Sequence, residues 1–164
     1  MASPSPVARF HLRAGESGDL DQVMAVMDAA FGAEFGEAWT RSQLTGILPM
    51  AGVALTVAVV DPGGGAAGFS LDRSVADEAE LLLIAVHPAC RRQGIGARLV
   101  DYFIDRAQAA GLAKVHLEVR DGNPAATMYR GLGFEPVGRR PNYYQGQDGA
   151  RHDAITFSRN VPVA

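Results

Sequence analysis

The chain has a single cysteine, Cys90, among 164 residues. No internal disulfide can form, which argues against the secreted scaffolds that paired cysteines hold together. No apolar run is long enough to span a bilayer, so no membrane partner is expected. The opening Met1-Ala2-Ser3-Pro4-Ser5-Pro6 lacks the basic and apolar regions of a signal peptide. Residues 1–7 are expected to be a disordered tail, and the protein to be cytoplasmic. An excess of one charge is missing too: 15 Lys and Arg against 18 Asp and Glu leave −3. Phosphate backbones need a basic surface, so nucleic acid is not the expected partner. The four histidines have no metal-ligand spacing, and no metal is expected. Neither a repeat nor a linker interrupts the chain, whose length suits one domain, expected over residues 8–162.

What is present is hydrophobic periodicity. Residues 9–13 alternate as a strand does. Leu20, Val23, Met24, Met27 and Phe31 keep helical spacing, and a short helix is expected over residues 40–48. Residues 53–60 and 66–71 flank the turn Asp61-Pro62-Gly63-Gly64-Gly65 as hairpin strands. Residues 80–86 form an almost unbroken apolar run, as in a central strand covered on both faces. Residues 95–110 carry Ile95, Leu99, Phe103 and Ala107 on one stripe, widened by Val100 and Ile104. Residues 114–120 alternate, and Asn123-Pro124 opens a further helix that ends near Gly131-Leu132-Gly133. Two last strands, near residues 135–139 and 153–159, bracket a loop holding Tyr143 and Tyr144. The order β-α-α-β-β-β-α-β-α-β-β predicts an α/β fold, a mixed sheet flanked by helices.

The central strand feeds the turn Arg91-Arg92-Gln93-Gly94-Ile95-Gly96-Ala97, which opens the best helix. A helix N-terminus leaves N–H groups unpaired and partly positive. Glycines let backbone approach an anion, and two arginines add charge. The turn suits a phosphate or pyrophosphate. It is not a nucleotide P-loop, because Ala97-Arg98 stands where Lys-Ser/Thr is needed. It is not a dinucleotide fingerprint either, because Leu99 replaces the third glycine.

Arg92-Gln93-Gly94-Ile95-Gly96-Ala97 resembles the pyrophosphate loop of the GNAT superfamily of acyl-CoA-dependent N-acyltransferases. The resemblance extends over most of the chain, best over residues 80–157. Ile84-Ala85-Val86-His87-Pro88 looks like the strand end that pairs with the pantetheine arm. Leu117-Glu118-Val119-Arg120, Asn123 and Tyr129-Arg130-Gly131-Leu132-Gly133-Phe134 resemble the RimI-type subfamily, as do Arg139-Arg140, Asn142-Tyr143-Tyr144 and Asp153-Ala154. Members of that subfamily acetylate protein N-termini, the bacterial type member acting on a ribosomal protein. The resemblance implies a GNAT fold of about seven mostly antiparallel strands and four helices. It implies acetyl-CoA as co-substrate, held by Ile84, Ala85, Val86, Arg91, Arg92, Gln93, Gly94, Ile95, Gly96, Ala97 and Asn123.

Acetyl transfer to an amine poses two proton problems. The amine must be neutral to attack, although an α-amine has a pKa of about 7.7–8.0 and lysine about 10.4. The leaving thiolate must also gain a proton. A carboxylate suits the first task and a tyrosine hydroxyl the second. By residue pattern alone, Glu118 is either such a base or an edge residue paired with Arg120 or Lys114; Tyr129 is either the proton donor or a core aromatic. The resemblance implies base and donor. Asn123 is a cofactor contact or only a helix cap, since the chain has one residue fewer before Tyr129 than the family pattern. Pro141 is one residue extra. Tyr143 and Tyr144 suit peptide contact. Phe31, Phe35 and Trp39 are read as core or lid. Transfer to a small amine and acyl-CoA binding without turnover are the competing readings.

Overall fold

The computed structural model describes residues 9–163. The tail expected over residues 1–7 lies outside them. The order of elements is the expected one: β1 (Arg9–Ala14), α1 (Leu20–Ala30), α2 (Arg41–Ile47), β2 (Val53–Asp61), β3 (Ala66–Val75), β4 (Glu78–Val86), α3 (Ile95–Ala109), β5 (Lys114–Arg120), α4 (Ala125–Gly131), β6 (Glu135–Gln145) and β7 (Arg151–Asn160). The seven strands form one sheet in the order β1-β2-β3-β4-β5-β7-β6. All neighbours are antiparallel except β4 and β5. No helix among the described residues is long and apolar enough to cross a membrane.

The helices cover the sheet on both sides because their stripes are apolar. Leu20, Val23, Val26 and Met27 of α1 pack with Leu55, Val57, Phe69 and Leu71 of β2 and β3. On the other face, Val100, Phe103, Ile104 and Ala107 of α3 pack with Val115, Leu117 and Val119 of β5 and with Tyr129 of α4. Each fully buried Leu or Phe in these layers contributes roughly 1.5–3 kcal/mol relative to exposure. A charge lies under α3: Asp72 of β3, 1% exposed, accepts two hydrogen bonds from Arg106 of α3 at 2.8 and 2.9 Å. Removing one partner of such a pair costs about 3–5 kcal/mol.

Two of the four departures from regular pairing among the described residues shape the site. In β4, Leu81 faces Asp72 and Leu83 faces Leu71, so Leu82 is an extra residue in the ladder. Such a bulge bends its strand. β4 and β5 then pair only from Glu78↔Lys114 to Leu81↔Leu117, although both strands continue. Beyond Leu81 they separate. The second departure is in β6, where Arg140 pairs Ala154 and Tyr144 pairs His152, leaving residues 141–143 opposite Asp153 alone. Asn142 takes a left-handed backbone there (φ 55°) and donates its N–H to Asp153 Oδ1 at 2.9 Å. The extra Pro141 is accommodated within this bulge. The expected loop around Tyr143 and Tyr144 is therefore strand, because β6 runs to Gln145 and resumes pairing at Tyr144. β3 likewise runs past Leu71 to Val75, since its ladder with β4 continues beyond the bulge.

Candidate active site

The separation of β4 from β5 opens a cleft of about 590 Å³. Its floor is Glu80–Val86 of β4 and Leu117–Arg120 of β5; Arg91, Gly96, Asn123, Met128 and Tyr129 close one side, and Phe31, Phe35, Glu37, Trp39, Tyr143 and Tyr144 the other.

At the α3 end, the first intrahelical bond runs from Arg98 N to Gly94 O at 3.0 Å. The N–H groups of Ile95, Gly96 and Ala97 therefore precede the helical ladder. Arg92 and Gly94 both have left-handed backbone, φ 63° and 77°. For the arginine that costs of order 1–3 kcal/mol. Left-handed residues alternating along a turn converge N–H groups into an anion-binding hollow. Arg91 and Arg92 are exposed, whereas the Ile95 side chain is buried with Ala58, Ala67 and Leu99, so only its backbone faces the turn. A Cβ built on Gly96 would lie 3.4 Å from Met128 Sδ and 3.8 Å from Val86 Cγ2, inside the lining of the cleft.

Glu118 points to the opposite sheet face from Leu117 and Val119. Its side chain is 7% exposed, accepts a hydrogen bond from Thr156 Oγ1 at 2.8 Å, and forms an ion pair with Arg140 Nε at 2.9 Å. The pairing with Arg120 or Lys114 weighed from sequence does not occur. Arg120 instead serves Glu37, with Nε 3.2 Å from Oε1, and its guanidinium lies 3.6 Å above the Phe35 ring. Tyr129 is 4% exposed and packs edge-on against Phe134. Burial, and then the negative charge of Glu37, raise its hydroxyl pKa well above the ordinary phenol value, so it stays protonated and able to donate. Asn123 Oδ1 accepts from Ala125 N at 2.9 Å, as a helix cap does, and its Nδ2 donates to Glu37 Oε2 at 3.2 Å. Tyr143 and Tyr144 meet edge to face at 4.9 Å. Burial chiefly raises the Tyr144 hydroxyl pKa as well.

Glu37 was not legible in the sequence. It belongs to residues 31–40, which cross the cleft and dock on the β6–β7 turn. Gln147 N donates to Ala33 O at 3.2 Å, and a Cβ on Gly146 would lie 1.8 Å from Glu34 O, so only glycine admits this approach. A capping box fixes the far end, with Gln43 N donating to Thr40 Oγ1 at 3.2 Å and Thr40 N to Gln43 Oε1 at 2.7 Å. Phe31 and Trp39 line the cleft and also pack on the α1 core. Among the described residues, no group of three His, Cys, Asp or Glu side chains is arranged to hold a metal ion.

A family model described as "Acetyltransferase (GNAT) family" matches residues 24–134, well over half of the chain. The chain belongs to the GNAT acetyltransferase family. It is thus an N-acetyltransferase of the α/β fold expected from its sequence. [Ribosomal protein bS18]-alanine N-acetyltransferase of Escherichia coli K12 is 45% identical over 102 residues, 62% of this chain and 67% of that relative. The crystal structure of the ribosomal-protein-S18-alanine N-acetyltransferase from Escherichia coli superposes with a TM-score of 0.82 at 31% identity, over 95% of this chain and 96% of that one. A nourseothricin acetyltransferase structure has a TM-score of 0.72 at 24% identity, over 93% of this chain and 99% of that one, and shows the fold alone. The family match, and not the fold alone, gives the class of reaction.

Proposed function

We propose that this GNAT chain transfers the acetyl group of acetyl-CoA to the N-terminal α-amine of a protein, with Glu118 as general base and Tyr129 as proton donor. The observation that carries the reading is the convergence of a buried carboxylate and a protonated, buried tyrosine on one cleft that begins at a helix N-terminus. The Escherichia coli relative named a ribosomal-protein-S18-alanine N-acetyltransferase, 45% identical over 102 residues and 31% identical over the superposed chain, supports a protein acceptor, a ribosomal protein first of all.

The chain's own residues fit acetyl-CoA. The left-handed turn at Arg92 and Gly94, the N–H groups of Ile95, Gly96 and Ala97, the side chain of Gln93 and the charges of Arg91 and Arg92 suit a pyrophosphate. The absent side chain of Gly96 keeps that approach open. The part of β4 that leaves β5, with Ile84, Ala85 and Val86, offers backbone groups to an amide-bearing arm. Asn123 contributes here through its cap of α4 and its bond to Glu37, and its Nδ2 keeps a second N–H for a cofactor contact. Acetyl-CoA supplies the acetyl group as a thioester. Glu118 accepts the ammonium proton of the acceptor, Tyr129 Oη holds a proton for the leaving sulfur, and the segment over residues 31–40 excludes water from between them. Tyr143 and Tyr144 give the peptide an apolar wall with polar tips.

The test is acetylation of a panel of peptides differing in their first residue, alongside polyamines and aminoglycosides, scored by mass spectrometry for α- against ε-acetylation. Transfer to peptide α-amines supports the reading. Transfer to small amines alone replaces it, and cofactor binding without any transfer reduces the chain to an acyl-CoA-binding module.

A further inference from the structure

Glu118 has two oxygens in different surroundings. Oε2 takes the Thr156 hydroxyl from within the sheet, where Glu118 and Thr156 are cross-strand partners. Oε1 faces Arg140, which reaches it from edge strand β6. The two side chains contrast sharply in exposure, 62% for Arg140 against 7% for Glu118. Arg140 is not among the residues that line the cleft, whereas Glu118 is. A long, solvated side chain thus lays its cation on a buried carboxylate from outside. Its guanidinium carbon at the same time lies 5.7 Å from the centroid of the Tyr143 ring, so the cation keeps one partner when it gives up the other.

The acceptor amine arrives at neutral pH largely as an ammonium, because its pKa of about 7.7–8.0 exceeds 7. It carries the charge that Arg140 already places on Glu118. We propose that Arg140 is a displaceable internal cation: it competes from outside the cleft with the acceptor ammonium for Glu118 Oε1, gives up that oxygen while keeping Tyr143 when the acceptor enters, and so sets acceptor affinity. The inference rests on the reading of Glu118 as the base. Displacement lowers apparent affinity by the fraction of molecules in which the position is free. An arginine that merely neutralised Glu118 has the opposite consequence, since its loss leaves a buried charge unpaired and weakens the site.

The experiment measures acetyl transfer from acetyl-CoA to a hexapeptide beginning with alanine, in the full chain and in Arg140→Gln, Arg140→Met and Arg140→Lys. Arg140→Gln and Arg140→Met are expected to lower the KM for the peptide by about tenfold, with a smaller change in kcat. Arg140→Lys keeps the cation and should stay near the original KM. The inhibition constant of the N-acetylated hexapeptide, which has no ammonium, should move less than twofold; a remodelled peptide wall would move it as much as KM. An unchanged or raised peptide KM in folded Arg140→Gln or Arg140→Met overturns the inference while the base assignment stands. No transfer to the hexapeptide by the unaltered chain overturns the protein-acceptor reading, and this inference with it.

Discussion

The two walls of the cleft are built differently. The α3 end of the cleft is framed by one stretch, residues 84–97, a strand end, a turn and a helix N-terminus, with Asn123, Met128 and Tyr129 of the α4 region beside it. Its functional groups are mostly main-chain N–H groups, fixed by the bulge in β4 and by the left-handed turn. The facing wall is assembled from residues 31–39 and 143–144 above the floor of residues 117–120, with Arg140 behind Glu118. Side chains hold it together: Arg120 meets Glu37 across 83 residues of sequence, and Thr156 meets Glu118 across 38. A wall of backbone tolerates most side-chain changes except one that intrudes into the space. A wall of side chains fails when one partner of a pair is lost. The first suits an invariant ligand, and the second suits an acceptor that differs between enzymes of one fold.

The contrast can be broken at four places. Glu118→Gln should cost most, lowering the rate by about 10²–10³-fold at neutral pH, with partial recovery at high pH where the acceptor amine loses its proton unaided. A pH–rate profile parallel to that of the unaltered enzyme would remove Glu118 as the base. Tyr129→Phe should lower kcat by about 10²-fold and leave acetyl-CoA affinity unchanged. Because the phenol pKa is raised, the unaltered enzyme should show no alkaline loss of rate from this group up to about pH 10, its ordinary pKa; a limb below that, absent in Tyr129→Phe, would contradict the environment described. Gly96→Asp should weaken acetyl-CoA by about tenfold or more by setting a carboxylate in the cleft lining that repels phosphate, whereas peptide KM should hold. Equal affinities by calorimetry would refute the phosphate site. The smallest change is expected for Glu37→Ala: about 1–2 kcal/mol of stability, discounted from a fully buried pair because both side chains keep some solvent contact, with peptide KM raised more than acetyl-CoA KM. A rise confined to acetyl-CoA would move residues 31–40 to the cofactor side.

The same division decides what could be read from sequence. The α3 wall is local, so the turn Arg91–Ala97 and the stripe Ile95, Leu99, Phe103 and Ala107 state their structure within a few residues. The order of elements follows from such periodicities, and the parallel β4–β5 pair from the helix between them. Glu118 was visible as a carboxylate in an apolar strand, but its partners were not. Arg140 comes from a strand beyond β7, and nothing in the spacing of residues 118 and 140 announces that meeting. Glu37 lay in a segment without periodicity. Tyr143 and Tyr144 are expected in a loop, because they fall between the two last strands near residues 135–139 and 153–159. The ladder instead absorbs residues 141–143 as a bulge, with Asn142 in the left-handed conformation and Asp153 on its N–H. That contact, with Arg139 beside it, also holds the Asp153 carboxyl below the usual carboxylate range.

The short seam between β4 and β5 also bears on mechanics. Four residue pairs, from Glu78↔Lys114 to Leu81↔Leu117, stitch a four-stranded plate to a three-stranded one, with α3 packed across both. A joint hemmed at one end resists shear but yields to prying at the other. A molecule that contacts both plates beyond Leu81 acts as a crossbar at the open end, where leverage is greatest. Saturation a hundredfold above Kd adds about 2.7 kcal/mol to unfolding. The heat resistance of this enzyme is therefore expected to depend on its co-substrate supply as well as on its sequence.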